Sequence, residues 1–110
     1  MDFNKVLLGG RIAKDIETKR VKDTCITKIT IATNRKYRQG EETKKESNFI
    51  DAIAFARTAE NIATYFKKGD PIFLECRIKN SNYEKDGKKI YKNDLIIEEF
   101  YFVSSPKKDD

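Results

Sequence analysis

At 110 residues the chain has room for one domain with a modest core, and 37% of its residues are charged against 38% hydrophobic. Its 23 Lys plus Arg exceed its 18 Asp plus Glu, giving a net charge of +5 that suits polyanions such as nucleic acid or an anionic membrane surface. Histidine is absent, which removes the usual general base near neutral pH and the commonest metal ligand.

The remaining composition narrows the field further. Cys25 and Cys76 form no CxxC pair, and each falls in an apolar-patterned stretch, so buried reduced thiols are expected rather than a zinc site. No metal and no cofactor are expected. Asp2 and Lys5 interrupt a very short apolar start, so nothing there reads as a signal peptide. No apolar run approaches membrane-spanning length, and a cytoplasmic location is expected.

The first predicted strand runs from about Asn4 to Ile12 and contains Gly9–Gly10, a pair that suggests a bulge or a sharp barrel bend. No GxxxxGK[ST] pattern follows, so the glycines are not a phosphate loop. Lys14 to Lys22 reads as a polar connection with a short strand at Ile16 to Val21. Cys25 to Arg38 reads as a long second strand, in which Ile29, Ile31 and Thr33 alternate with Lys28, Thr30 and Ala32. Gln39 to Ser47 has no apolar residue and reads as a mobile charged loop around Gly40.

Phe49 to Ala56 reads as a third strand, with Phe49, Asp51, Ile53 and Phe55 on one face by the two-residue period. A short helix follows. Thr58 is its predicted N-cap, and Ala59, Ile62, Ala63 and Phe66 recur at 3–4 spacing. Lys67 and Lys68 suit its C-terminal end, and Gly69 suits a left-handed stop. Ile72 to Ser81 alternates as a fourth strand. Asn82 to Lys89 reads as a hairpin loop turning at Asp86–Gly87, and Ile90 to Val103 as a fifth strand. Residues 1–103 are therefore read as one domain and 104–110 as a short polar, frayed tail. The element order predicts an all-β OB-fold: a five-stranded Greek-key barrel with one short helix between strands 3 and 4.

Several blocks in this order carry a family resemblance. NKVLLGGRIAKD, ITIATNRKY, AEN-ATYFKKGD, and the DG hairpin followed by IYKNDLIIEEF resemble the bacterial-type single-stranded DNA-binding proteins over about Asn4 to Val103. In that family single-stranded DNA wraps over exposed aromatics. The resemblance places these at Tyr37, Phe49, Phe55 and Tyr83, all aromatic here although the chain has no Trp. The physical rationale is independent of the family: every base has a π-face, so a flat side chain can hold any sequence.

Basic residues on or beside the strands are candidate phosphate contacts: Lys5, Arg11, Arg35, Lys36, Arg38, Arg57, Lys68, Arg77 and Lys79. Of these, Lys5, Arg57, Lys68 and Lys79 match positions that are basic in the family. Asp51 departs from the pattern, because the family often has a basic residue there and a carboxylate repels phosphate. The resemblance also breaks at the end: the family carries a flexible linker and an acidic tip that recruits other proteins, whereas this sequence closes with SSPKKDD. It therefore reads as a short form, either a piece cut from a longer chain or a naturally short paralogue of the competence, plasmid or phage kind, and tail-mediated protein partners are not expected.

The sequence-level expectation is a non-enzymatic, sequence-tolerant binder of single-stranded DNA in replication, recombination or repair. A primosomal-type or RNA-binding OB-fold protein is the alternative. A two-metal nuclease is disfavoured because Glu41, Glu42 and Glu46 lie together in the predicted loop rather than on a rigid scaffold. The apolar first strand, at Val6, Leu7 and Leu8, offers an edge for pairing with a second copy. The resemblance implies a homotetramer, with Ile50 at a subunit interface.

Overall fold

A computed structural model describes residues 1–103; the expected tail at 104–110 lies outside the described residues. Its longest strand is Thr24–Gln39 (β3), preceded by Val6–Ile12 (β1) and Glu17–Val21 (β2). Along β3 the β-branched residues Thr27, Ile29 and Ile31 point inward with Cys25, and Lys28 points out, so one strand supplies both core and surface.

β3 turns at Gly40, in the left-handed region at φ +65°, into Glu42–Phe55 (β4). The two strands pair without interruption from Ile26↔Phe55 to Gln39↔Glu42. This corrects the predicted loop at Gln39 to Ser47: nearly all of it is strand. Lack of apolar residues signals lack of burial, not lack of pairing. A hairpin's backbone groups satisfy one another whatever its side chains, and opposite charges such as Arg35 and Glu46 face each other across this one.

β4 passes directly into one helix, Ala56–Tyr65 (α1). The predicted N-cap at Thr58 is therefore corrected. With no connecting residue, the cap position falls on Phe55, which makes no side-chain cap bond. The position of the predicted stop is also corrected, although Gly69 does take the expected positive φ, +95°. The helix closes with a 3.1 Å bond from the Phe66 N–H to the Ile62 carbonyl, and Phe66 itself is extended. Phe66 is buried at the edge of the core, where the exposed Phe102 ring stacks on it at 4.9 Å and Phe100 meets it edge-on at 5.6 Å. Lys67, Lys68 and Gly69 thus form a turn beyond the helix, and the Gly69 N–H donates to the Ile12 carbonyl at 2.8 Å.

Pro71–Asn80 (β5), the small hairpin Tyr83–Lys85 (β6) and Lys88–Ile90 (β7), and Asn93–Phe102 (β8) complete the chain. Asp86 and Gly87 both have positive φ, +52° and +77°, as the right-handed twist of a two-residue hairpin turn demands.

The sheet order β1-β5-β8-β4-β3-β2 closes on itself because β1 also pairs with β3, at Arg11↔Ala32 and Ile12↔Ile31. β4 meets β8 in parallel at Ile53↔Ile96. The result is a closed barrel of β1, β5, β8, β4 and β3, with β2 added on the outside of β3 and α1 between β4 and β5: an OB-fold. Ile12, Ile29, Ile31, Ala52, Ala54, Ile62, Ile72, Leu74 and Cys76 fill it. Both cysteines are free and buried, and desolvation pushes the Cys76 thiol up to about 11. The paired glycines mark a close approach rather than a bulge in β1. At Gly10 a Cβ would lie 2.3 Å from the Ala32 carbonyl oxygen, where β1 swings from β5 to β3. Among the described residues the one register shift falls between Glu75 and Cys76, in the β5–β8 pairing.

Candidate nucleic-acid interface

The β3–β4 register determines which side chains share the outer face of the barrel. Ala52 and Ala54 are fully buried. The alternating residues Phe49, Asp51, Ile53 and Phe55 therefore point outward, opposite Ala32, Thr30, Lys28 and Ile26. Phe49 is 65% exposed and Phe55 42%, so neither ring belongs to the core. They stand six positions apart along the strand, about 20 Å at the usual rise. Between them Asp51 does not stand as a bare charge. The Thr30 hydroxyl donates to its carboxylate at 2.6 Å and the Lys28 ammonium lies 3.6 Å away. The Thr30 hydrogen bond, helped by Lys28, holds its pKa below the ordinary value.

A groove of about 460 Å³ runs beside this face, with Phe49, Asp51 and Ile53 on one wall and Lys92 to Leu95 on the other. A second hollow of about 340 Å³ lies beyond it at the β6–β7 hairpin. It contains Tyr83, 50% exposed, and Tyr91, 76% exposed, with Asn82, Glu84 and Lys89. Tyr91 escaped the sequence reading. Its signal was a second tyrosine one residue past the strand that pairs with Tyr83, since Tyr83 faces Ile90.

Tyr37 is placed differently. By alternation it falls on the opposite face of the hairpin from Phe49, across from Lys44, and the Arg35 guanidinium sits over its ring at 5.3 Å. Tyr37, Phe49, Phe55 and Tyr83 thus do not lie on one face of a single strand pair.

The candidate cations separate into two groups. Lys36 and Arg38 share the Phe49 face of the hairpin by alternation, and Arg57, Lys68 and Lys79 are exposed on α1, its following turn and β5. Lys5 and Arg77, by contrast, have their charge balanced within the chain. Lys5 lies 3.2 Å from Glu98 and 3.7 Å from Glu75, and the Arg77 Nε lies 3.7 Å from the same Glu98. The hydrogen bond to Glu98 raises the Lys5 pKa. Arg11 donates to the Gly69 carbonyl at 3.1 Å, bracing the turn after α1.

The face so assembled carries exposed rings between cations on a rigid ladder. The model of the single-strand binding protein family matches residues 3–103. The chain belongs to that family. A Clostridium perfringens protein named single-stranded DNA-binding protein is 37% identical over 106 residues, covering 94% of this chain and 67% of its own length. An Aquifex aeolicus protein of the same name is 37% identical over 107 residues, covering 96% of this chain and 73% of its own. The chain thus spans about two thirds to three quarters of these two relatives. Among solved structures, a Plasmodium falciparum SSB in complex with ssDNA superposes with a TM-score of 0.80 at 16% identity, covering 94% of this chain and 97% of that one. A deletion mutant of the Thermus aquaticus single-stranded DNA binding protein gives 0.81 at 20% identity, covering 93% of this chain and 51% of that one. At such identities these two establish the fold. Among the described residues no helix is long and apolar enough to cross a membrane.

Proposed function

We propose that this chain binds single-stranded DNA without reading its sequence, serving replication, recombination or repair, as a cytoplasmic homotetramer that performs no catalysis. The observation that carries the reading is the outward placement of Phe49 and Phe55 on a strand whose alternate residues are fully buried. Both phenylalanines lie outside the buried cluster on a rigid ladder, and they offer flat surfaces to unpaired bases. Tyr83, beside the neighbouring groove, and Tyr37, on the other side of the hairpin, extend the stacking surface. Arg11, Arg35, Lys36, Arg38, Arg57, Lys68 and Lys79 supply phosphate contacts. Lys5 and Arg77, already paired with carboxylates, contribute less.

Assembly multiplies a modest single groove. Among the described residues β1 pairs over Val6 to Gly10 only with β5, which leaves its other edge open, and Leu7 is exposed there. An open edge favours strand pairing with a symmetry mate, and a dimer of such dimers joins the four grooves on one DNA path.

A titration with deoxythymidylate strands of increasing length tests the function, with duplex and RNA as competitors. Single strands should bind tightly and duplex weakly, with affinity falling as salt rises. Equal affinity for duplex overturns the reading, and a preference for RNA favours the alternative. Light scattering tests the assembly, where a mass of 12.8 kDa, that of one chain, would rule it out.

A further inference from the structure

Lys36 and Lys45 are directly opposite partners in the β3–β4 register, on the same face as Phe49. Like charges so placed lie about 5 Å apart at their Cβ atoms and destabilise the strand pair in isolation. Nothing among the described residues relieves them. Neither lysine, nor the adjacent Arg35, makes an ion pair. Glu46, the nearest carboxylate along the strand, falls on the opposite face by alternation and accepts a hydrogen bond from the Asn48 amide at 3.0 Å.

The register sorts the charges of the whole hairpin arm. From Asn34 outward the Phe49 face carries Asn34↔Ser47, Lys36↔Lys45 and Arg38↔Thr43, and no acid. Glu42 and Glu46 fall on the other face, with Tyr37. The two lysines border a hollow of about 700 Å³, lined also by Asn34, Arg35 and Ser47. Its neutral part is fixed, because the Ser47 hydroxyl donates to the Asn34 side-chain carbonyl at 2.7 Å.

We infer that this hollow is a phosphate subsite, in which Lys36 and Lys45 together clamp one phosphodiester of the strand whose base stacks on Phe49. The inference rests on the reading of the barrel as a single-strand binder and assigns a role to Lys45 that strand patterning alone does not suggest. An unpaired, acid-free, directly opposed lysine pair gains most from a ligand that brings a negative charge between its two ammonium groups. Lys45 lies four residues from Phe49, about 13 Å along the strand, so one bound segment reaches both. Asp51 lies beyond Phe49 and its charge is offset by Lys28, so it does not oppose an anion in the hollow.

The test compares the wild type with Lys36→Gln/Lys45→Gln, and with Lys22→Gln/Lys67→Gln as a variant of equal net charge lacking lysines elsewhere. Binding of deoxythymidylate strands is followed over a salt series. The hairpin variant should lose roughly three- to tenfold in affinity at low salt, and its log–log salt slope should shrink by about 0.7, the value for one phosphate of a single strand. The matched variant should stay close to wild type, and Lys36→Arg/Lys45→Arg should retain the slope. The free hairpin variant should melt no lower than wild type, because a repelling pair has been removed. Unchanged affinity and slope, an equal loss in the matched variant, or a lower melting temperature would each overturn the subsite. Failure of the wild type itself to bind single strands would instead overturn the functional reading beneath it.

Discussion

Thr30 and Asp51 face each other across β3 and β4, and the Thr30 hydroxyl donates a 2.6 Å hydrogen bond to the Asp51 carboxylate. This bond holds Asp51 ionised in the middle of a face that otherwise suits phosphate. The carboxylate's pKa lies below its ordinary value of 3.8, so its stabilising contribution is present above about pH 4 and is lost as pH falls through the lower, folded value. Asp51→Asn should cost no more than about 1 kcal/mol at neutral pH, because the side chain is half exposed and screened by solvent. The difference from wild type should vanish in acid, as thermal melts across pH would record. The same substitution should tighten single-strand binding at low salt by removing a charge that repels phosphate. An Asp51→Asn protein that binds more weakly would show that the carboxylate orients Lys28 for the ligand instead.

Phe49→Ala and Phe55→Ala should each weaken binding by roughly 1–3 kcal/mol, a range drawn from single-strand-binding barrels themselves. Both rings are exposed, so melting temperatures should change little. Anisotropy titrations beside melting curves separate the two effects. A variant that unfolds, or binds as wild type does, would remove that ring from the interface.

Ala56 is the first residue of α1 and stands at φ +56°, in the left-handed region that a Cβ disfavours. The strand runs into the helix with no spare residue, so the reversal must be made there. Ala56→Gly relieves the strain but adds freedom to the unfolded chain. The net outcome should be a gain of a few tenths to about 1 kcal/mol, read as a small rise in melting temperature with DNA affinity unchanged.

Gly10→Ala should act in the opposite direction. Its Cβ would meet the Ala32 carbonyl oxygen at 2.3 Å and the Ile31 Cγ2 at 2.9 Å, both on a strand that cannot yield without opening the barrel seam. A loss of about 1–3 kcal/mol or more is expected. Gly9→Ala, whose Cβ would meet only the Phe73 ring at 3.3 Å, should cost clearly less. Denaturant unfolding of the two variants side by side checks the contrast.

What the sequence made legible was alternation. Ile29, Ile31, Leu74 and Cys76 announce strands because a half-buried strand must alternate, and the one helix shows as a change to 3–4 spacing. The outer half of the β3–β4 hairpin stayed hidden because it buries nothing, so its ladder leaves no apolar trace between Gln39 and Ser47. The helix ends were misplaced because neither is set by a capping residue: one follows from strand continuity at Phe55, the other from the pull of Phe66 into the aromatic cluster. The candidate site divided in the same way. Exposed aromatics could be named from residue type and resemblance. Which cations stand free and which are paired depends on register and on contacts such as Lys5 with Glu98, which join residues far apart in the chain.

Tyr83 and Tyr91 line one hollow of about 340 Å³, on either side of the β6–β7 hairpin, with Lys89 between them in the chain. Tyr83 precedes the Asp86–Gly87 turn, and Tyr91 follows the short strand that returns from it. The hairpin ladder, closed by the 2.8 Å bond from the Ser81 N–H to the Lys92 carbonyl, holds the two rings near each other without burying either. Two exposed rings in one hollow can engage the same base, whereas rings on separate platforms engage different ones. Tyr83→Ala and Tyr91→Ala should therefore each weaken single-strand binding, and the double variant should lose less than the sum of the two, by at least about 0.5 kcal/mol. Tyrosine-to-phenylalanine variants should bind nearly as wild type if stacking rather than the hydroxyl carries the contact. Additive losses across the cycle would assign the two tyrosines to separate nucleotides, and an unaffected Tyr91→Ala would leave Tyr83 alone in that hollow.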